Sequence, residues 1–154
     1  MTYDEYKELV KEYRETDSIK RRDEIRGMIF SESKALCETI EKLHNKWGFE
    51  FVDDSDYQIG KGGYSLHDFD STEVNITYSD HWRYGGECCI GISVPMKYLD
   101  VDERMKLEDE LKAKRVAALR NSYRCNLDSI ENIKQQNVEI LEKLKGFGVD
   151  LENE

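Results

Sequence analysis

Residues 74–94, VNITYSDHWRYGGECCIGISV, decide the fold that this chain predicts. Apolar residues alternate with polar ones on both sides of two glycines: Val74, Ile76, Tyr78 and Trp82 precede them, and Cys88, Ile90, Ile92 and Val94 follow them. This alternation is typical of strands with one buried face. A three-residue loop at 84–86 keeps both apolar rows on one face, whereas a two-residue turn at 85–86 separates them. The preferred loop pairs Ile76 with Val94 and Tyr78 with Ile92.

The same alternation of apolar and polar residues extends the sheet towards the N-terminus. A three-residue turn at 70–72 joins a preceding strand and predicts three pairs: Phe69 with Glu73, Leu66 with Ile76 and Tyr64 with Tyr78. A four-residue loop at 60–63 adds a further strand that carries Tyr57 and Ile59. The sequence therefore predicts a four-stranded antiparallel meander over residues 49–95, with one apolar face and one polar face.

Helical patterns precede this sheet. Thr2 and Glu5 have the spacing of a capping box, and apolar residues then recur at helical intervals to about residue 14. The cluster Thr16, Asp17 and Ser18 offers an N-cap for a longer helix that ends at Gly48 in a Schellman arrangement. Gly27 and residues 31–33 are the positions where this helix is expected to bend or break. Residues 1–48 thus predict a helical hairpin.

A long helix is predicted over residues 100–146. This third predicted helix is called α3, and from Val116 onward it carries a three-four repeat typical of a coiled coil, here called the α3 seam: Val116, Leu119, Tyr123, Asn126, Ile130, Ile133, Asn137, Ile140, Leu144 and Phe147. Met105, Leu107 and Leu111 are out of phase with it, which predicts a bend or a change of packing partner near residues 112–115. We expect residues 147–154 to form a frayed acidic tail.

These elements predict a single α+β domain over residues 1–154: an N-terminal helical hairpin, the meander, and the long C-terminal helix packed on one sheet face. Apolar residues make up 38% of the chain, and no stretch is long and apolar enough for a membrane span or a signal peptide. Four cysteines without CxxC spacing favour a reduced, cytoplasmic protein without structural zinc.

The net charge of −10 is concentrated in one segment. Residues 49–100 hold 10 acids against 3 bases, whereas the flanking segments are nearly balanced. Such an acidic field repels phosphate and attracts basic partners. We therefore expect an acidic sheet face and no direct contact with nucleic acid.

Three side chains fall in one cross-strand row of the predicted polar face: Asp56, His67 and Asn75. A carboxylate that orients an imidazole is half of a general-base site, so these are the catalytic candidates, although a solvated polar row is the simpler reading. An EF-hand loop that starts at Asp54 is excluded, because its sixth and twelfth positions hold Ile59 and Ser65 instead of Gly and Glu. A phosphate-binding P-loop is excluded as well, because the glycines at 60–63 join two strands rather than precede a helix. No metal or cofactor is predicted.

The hairpin tip and the acidic sheet face supply the candidates for partner binding. Exposed arginine and aromatic residues are favoured in protein-binding hot spots. The candidates are Glu73, His81, Arg83, Tyr84 and Glu87. The α3 seam offers a second kind of contact, a homodimer through Val116, Leu119, Tyr123, Ile130, Ile133 and Ile140, in competition with packing inside one chain.

Residues 81–99, HWRYGGECCIGISVPMKYL, resemble a stretch of small phage-encoded proteins of unassigned function. The resemblance covers an aromatic residue, Arg and paired glycines, then a strand and a Pro-x-x-Tyr-Leu ending. It implies a viral or prophage origin, which would place the protein in the host cytoplasm, and it implies no catalytic residue.

The leading hypothesis is a non-enzymatic interaction protein: a small regulator or inhibitor that binds a host defence or nucleic-acid-handling protein through the acidic sheet face or the hairpin tip. The first alternative is a small enzyme or ligand-binding module that uses Asp56, His67 and Asn75. The second is a structural protein that assembles through the C-terminal helix.

Overall fold

A computed structural model describes residues 1–52, 63–81 and 87–148 of the chain. Its elements are α1 (Tyr3–Glu15), α2 (Ile19–Lys46), β1 (Gly63–Phe69), β2 (Glu73–His81), β3 (Glu87–Pro95), a 3₁₀ helix (Met96–Leu99) and α3 (Val101–Gly146). The chain divides into two units, Met1–Lys112 and Ala113–Glu154. The α+β class is confirmed.

The helix boundaries follow from capping chemistry. Thr2 and Glu5 form the reciprocal capping box of α1. Ser18 accepts a hydrogen bond from the Arg21 amide at 3.3 Å and caps α2. At the other end, Gly48 takes a φ of 74°, and the Phe49 amide donates to the His44 carbonyl at 3.0 Å, as in a Schellman motif. No break occurs at Gly27 or at residues 31–33, because α2 is one continuous helix.

The three described strands form an antiparallel sheet in the order β1-β2-β3. The predicted pairs Leu66 with Ile76 and Tyr64 with Tyr78 are confirmed. The pairing shifts between Leu66 and Asp68, so that Phe69 faces Val74 instead of Glu73. The fourth strand was predicted on residues that lie outside the described part of the chain.

The predicted partners across β2 and β3 are wrong by two residues. Ile76 pairs with Ile92 and Tyr78 pairs with Ile90, and the last pair joins His81 to Glu87. Five residues, 82–86, therefore lie between the strands, where a three-residue loop was predicted. A shift of two residues keeps every side chain on its face, so alternation alone does not distinguish the two registers. Both apolar rows do share one face, as predicted.

The core of the first unit lies between the sheet and its helices. The fully or nearly buried side chains include Val74, Ile76, Tyr78, Ile92 and Val94 from the strands. The prediction placed the long C-terminal helix on this face, but α2 is the helix whose backbone approaches all three strands. α3 contributes Leu107 and Leu111 to the same core.

α3 is continuous from Val101 to Gly146, and its surroundings change where the sequence pattern changes phase. Leu107 and Leu111 are buried, whereas every residue from Ala113 to Gly148 is exposed except the half-buried Leu144. The predicted change near residues 112–115 is thus a change of environment within one unbroken helix.

Candidate functional site

The open face of the sheet carries few charges among its described residues. Small polar residues and glycine occupy its central positions: Ser65, Thr77, Ser79, Gly91 and Ser93. The acidic side chains described there are Asp68 and Glu73, and Glu73 is half-buried and accepts a hydrogen bond from the Ser93 hydroxyl at 2.8 Å. The described part of this face is therefore polar rather than strongly acidic.

The predicted catalytic row is not assembled in the described strands. Asn75 pairs with Asp68, because the register shifts at this point and His67 has no partner in the ladder. Asp56 lies outside the described residues. His67 is exposed, and the described residues give it no carboxylate to orient its imidazole. Within the described residues His67 therefore has only the imidazole half of a general-base site, and the row with Asp56 stays a prediction.

Of the predicted partner-binding residues, Glu73 is the one with a described side chain. Arg83 and Tyr84 lie outside the described residues, as do the side chains of His81 and Glu87. The backbones of His81 and Glu87 form the last pair of the β2–β3 ladder. The hairpin tip stays a prediction.

A groove of about 1020 Å³ lies along α1, and sequence reasoning missed it. Leu9, Met1 and Met28 supply its apolar surface. Six carboxylates also line it: Asp4, Glu5, Glu8, Glu12, Glu15 and Glu32. Lys11 is the one basic side chain among the described lining residues.

Ion pairs neutralise part of this acidic groove. Arg21 donates from Nε to Glu12 Oε1 at 2.6 Å and from Nη2 to Glu12 Oε2 at 2.9 Å, and this pairing lowers the pKa of the Glu12 carboxyl. Lys7 lies 2.6 Å from Asp4. Glu5, Glu8 and Glu15 have no ion pair within the described residues, but the Glu5 carboxylate accepts a hydrogen bond from the Thr2 amide at 2.7 Å in the α1 capping box. Glu8 and Glu15 are therefore the lining carboxylates that the described residues leave without an ion pair or a hydrogen bond.

The sequence signal for this groove was spacing rather than composition. Residues 1–48 are almost neutral, so the net charge of this segment does not reveal an acidic site there. Asp4, Glu8, Glu12 and Glu15 nevertheless follow one another at intervals of four, four and three, which places them on one face of a helix. A helical projection would have found the groove where a count did not.

The α3 seam is an exposed apolar feature of the described residues. Its side chains are exposed by 38% at Val116, 55% at Leu119, 64% at Tyr123, 49% at Ile130, 55% at Ile133, 52% at Ile140 and 84% at Phe147. Monomeric proteins rarely expose a long contiguous apolar stripe, and such a stripe marks an interaction site. All six residues predicted for the homodimer contact belong to this exposed row.

Two further kinds of site are absent from residues 1–52, 63–81 and 87–148. No three residues of the His, Cys, Asp and Glu types lie together in a way that would hold a metal ion. None of the helices in these ranges has the length and apolar content needed to cross a bilayer. Comparison with protein-family models, with curated proteins and with solved structures finds no match to this chain.

Proposed function

We propose that this protein is a non-enzymatic interaction protein that associates with a second copy of itself through the α3 seam. The observation that supports this proposal is the exposure of a regular apolar row along residues 116–147. A row with three-four spacing is the surface that two helices bury against each other in a coiled coil. A folded chain with this surface left in water would forgo that burial.

Energetics favours a covered seam. Helices gain most of their stability from packing an apolar face, and an isolated helix in water is marginal. At full burial a large apolar side chain removes on the order of 100 Å² from water, so the exposed apolar residues of the seam amount to roughly 400 Å² for each helix. Flanking side chains raise this towards the roughly 800 Å² per partner that is typical of a stable interface.

The test is the mass of the full chain in solution. Sedimentation velocity at concentrations from about 1 to 200 μM should show a dimer that dissociates on dilution. Ile133→Lys places a charge in the seam and should shift the protein to a monomer. Gln135→Lys adds the same charge on the opposite, exposed face of α3 and should leave the dimer intact. A parent protein that stays monomeric at every concentration would overturn the proposal.

A second candidate function, binding of a basic protein, is favoured by the groove along α1. Unpaired carboxylates of Glu8 and Glu15 beside an apolar floor of Leu9 and Met28 suit a segment that carries both lysines and apolar side chains. In the phage setting that residues 81–99 imply, this partner would be a host protein with a basic surface. This role keeps the regulator or inhibitor hypothesis and moves its acidic surface from the sheet to α1.

A synthetic amphipathic helix rich in lysine and leucine is a suitable probe for the groove. Its affinity, measured by isothermal titration calorimetry, should fall as salt is raised and should fall again in the Glu8→Gln/Glu15→Gln variant. Glu131→Gln/Glu139→Gln removes the same charge from exposed positions of α3 and serves as the control. Equal loss in both variants would assign the binding to net charge alone and would contradict a role for the groove.

A further inference from the structure

We infer that the two copies pair antiparallel, with Asn126 of each helix facing Asn137 of the other. This inference rests on the proposed self-association. The seam has ten positions, and the two asparagines are the fourth from its start and the fourth from its end. When the two seams overlap completely in antiparallel orientation, Asn126 of each helix therefore lies opposite Asn137 of the other, and their side-chain amides face each other. A buried polar pair of this kind satisfies its own hydrogen bonds and penalises shifted registers.

Parallel pairing in register also matches each asparagine with its own copy, so the orientation has to be decided by the remaining layers. In the antiparallel pair Val116 meets Phe147 of the second copy, and Tyr123 meets Ile140. In the parallel pair Tyr123 would meet Tyr123 and Phe147 would meet Phe147. Close packing favours layers of similar total volume, in which a large residue faces a smaller one. The antiparallel arrangement gives such layers along the whole seam.

The residues that flank the seam point the same way. The spacing of the seam puts Val116 at heptad position a and Leu119 at position d. Leu127 and Leu141 then both occupy position e, and they are exposed by 46% and 43%. In an antiparallel pair the e positions of both helices share one flank, so Leu127 lies opposite Lys134 and Leu141 opposite Arg120, and each leucine packs on the apolar stem of a long side chain. In a parallel pair each e position faces a g position, and the two leucines would face Ser122 and Gln136.

Charge supports the same orientation. Arg115 is at position g and Arg120 is at the following position e. A parallel pair would place Arg115 of each copy beside Arg120 of the other, twice in the dimer, and no acid at e or g in residues 115–143 offsets them. An antiparallel pair puts Arg115 and Arg120 on opposite flanks. The like-charge contact is thereby avoided.

A charge-swap variant distinguishes the two orientations. Asn126→Lys/Asn137→Glu gives two facing pairs of opposite charge in the antiparallel dimer, but two pairs of like charge in the parallel one. Asn126→Glu/Asn137→Glu gives like charges in both orientations and is the matched control. We expect the first variant to dimerise within about tenfold of the parent affinity and the second to be weaker by about 100-fold or more, by sedimentation equilibrium. Circular dichroism of both variants checks that α3 is still helical.

Cross-linking supplies a second measurement that does not depend on buried charges. Leu119→Cys and Leu144→Cys chains are mixed and oxidised, and the joined cysteines are identified by peptide mass mapping. Antiparallel pairing joins position 119 to position 144, whereas parallel pairing joins each position to itself, because the two sites lie about 37 Å apart along one helix.

The outcomes separate the two claims. A parent dimer in which the charge-swap variant dissociates like its control, and in which position 119 cross-links to position 119, overturns the antiparallel inference and leaves self-association standing. A monomeric parent overturns both.

Discussion

The hydroxyl of Tyr6 on α1 donates one hydrogen bond that is shared between the main-chain carbonyls of Asp70 and Glu73, the latter at 3.3 Å. This side chain is fully buried, and it joins the first helix to the turn between β1 and β2. Burial, with the nearby Asp70 carboxylate, raises the pKa of the Tyr6 hydroxyl. One residue thus connects two elements that are more than sixty positions apart in the chain.

Tyr6→Phe should therefore lower the free energy of unfolding by about 1–2 kcal/mol, because it removes the donor of a part-buried hydrogen bond to the Asp70 carbonyl. Tyr3→Phe is the control: its hydroxyl donates to the Ser71 carbonyl at 3.2 Å, but this bond is exposed, and the loss should stay within about 0.5 kcal/mol. Urea unfolding followed by circular dichroism measures both. Equal losses in the two variants would show that burial of the Tyr6 bond does not matter.

The Asp70 carboxylate organises the same turn. Its Oδ1 accepts hydrogen bonds from the Thr72 amide at 2.6 Å, the Thr72 hydroxyl at 2.7 Å and the Glu73 amide at 3.0 Å. These bonds, led by the one from the Thr72 hydroxyl, lower the pKa of Asp70. A carboxyl whose pKa is lower in the folded state contributes stability above its unfolded pKa and loses it as the pH falls through the folded value.

The stability of the parent protein should thus fall below about pH 4 partly through Asp70. Asp70→Asn keeps an acceptor oxygen but has no charge to lose, so the stability difference between parent and variant should shrink as the pH is lowered from about 6 to about 2.5. Thermal unfolding across this range measures the difference. A gap that stays constant with pH would contradict the role assigned to the carboxylate.

The sheet illustrates what the sequence could and could not predict. Alternation placed Val74, Ile76 and Tyr78 on the buried face, because the faces of a strand follow from parity alone. Partners follow from loop geometry as well, and parity is unchanged when Ile76 faces Ile92 instead of Val94. The irregularity before Asp68 depends on main-chain geometry that no apolar pattern encodes, and it separated His67 from Asn75 in the proposed catalytic row.

Helix ends were predicted more accurately because capping chemistry is local, and the Schellman motif at the end of α2 makes this testable. Gly48 has a φ of 74°, so Gly48→Ala should cost about 1–2 kcal/mol in the free energy of unfolding. Gly27→Ala should instead stabilise the protein by about 0.5–1 kcal/mol, since Gly27 is inside α2 and a Cβ there would meet no atom within 4 Å. Chemical denaturation of both variants provides the measurement, and a loss of stability at Gly27 would contradict this account.

Charge counted along the sequence does not show where charge is concentrated on the surface, for a physical reason. A segment count assigned the acidic surface to residues 49–100, but helix geometry concentrates Glu8, Glu12 and Glu15 along α1 within a nearly neutral segment. Local fields depend on which side chains share a face and which are already paired, as Glu12 is with Arg21. Net charge per segment contains neither kind of information.

Two leucines of α3, eight residues apart, should respond differently to the same substitution. Leu111 is 4% exposed within the core, so Leu111→Ala should lower the free energy of unfolding by about 2–5 kcal/mol. Leu119 is 55% exposed on the α3 seam, so Leu119→Ala should change the unfolding of a dilute sample by less than about 1 kcal/mol and should weaken dimerisation. Denaturation at about 1 μM and sedimentation at higher concentrations separate the two effects. If Leu119→Ala destabilises the dilute protein as much as Leu111→Ala does, the seam is packed within a single chain, because only intramolecular burial is independent of concentration.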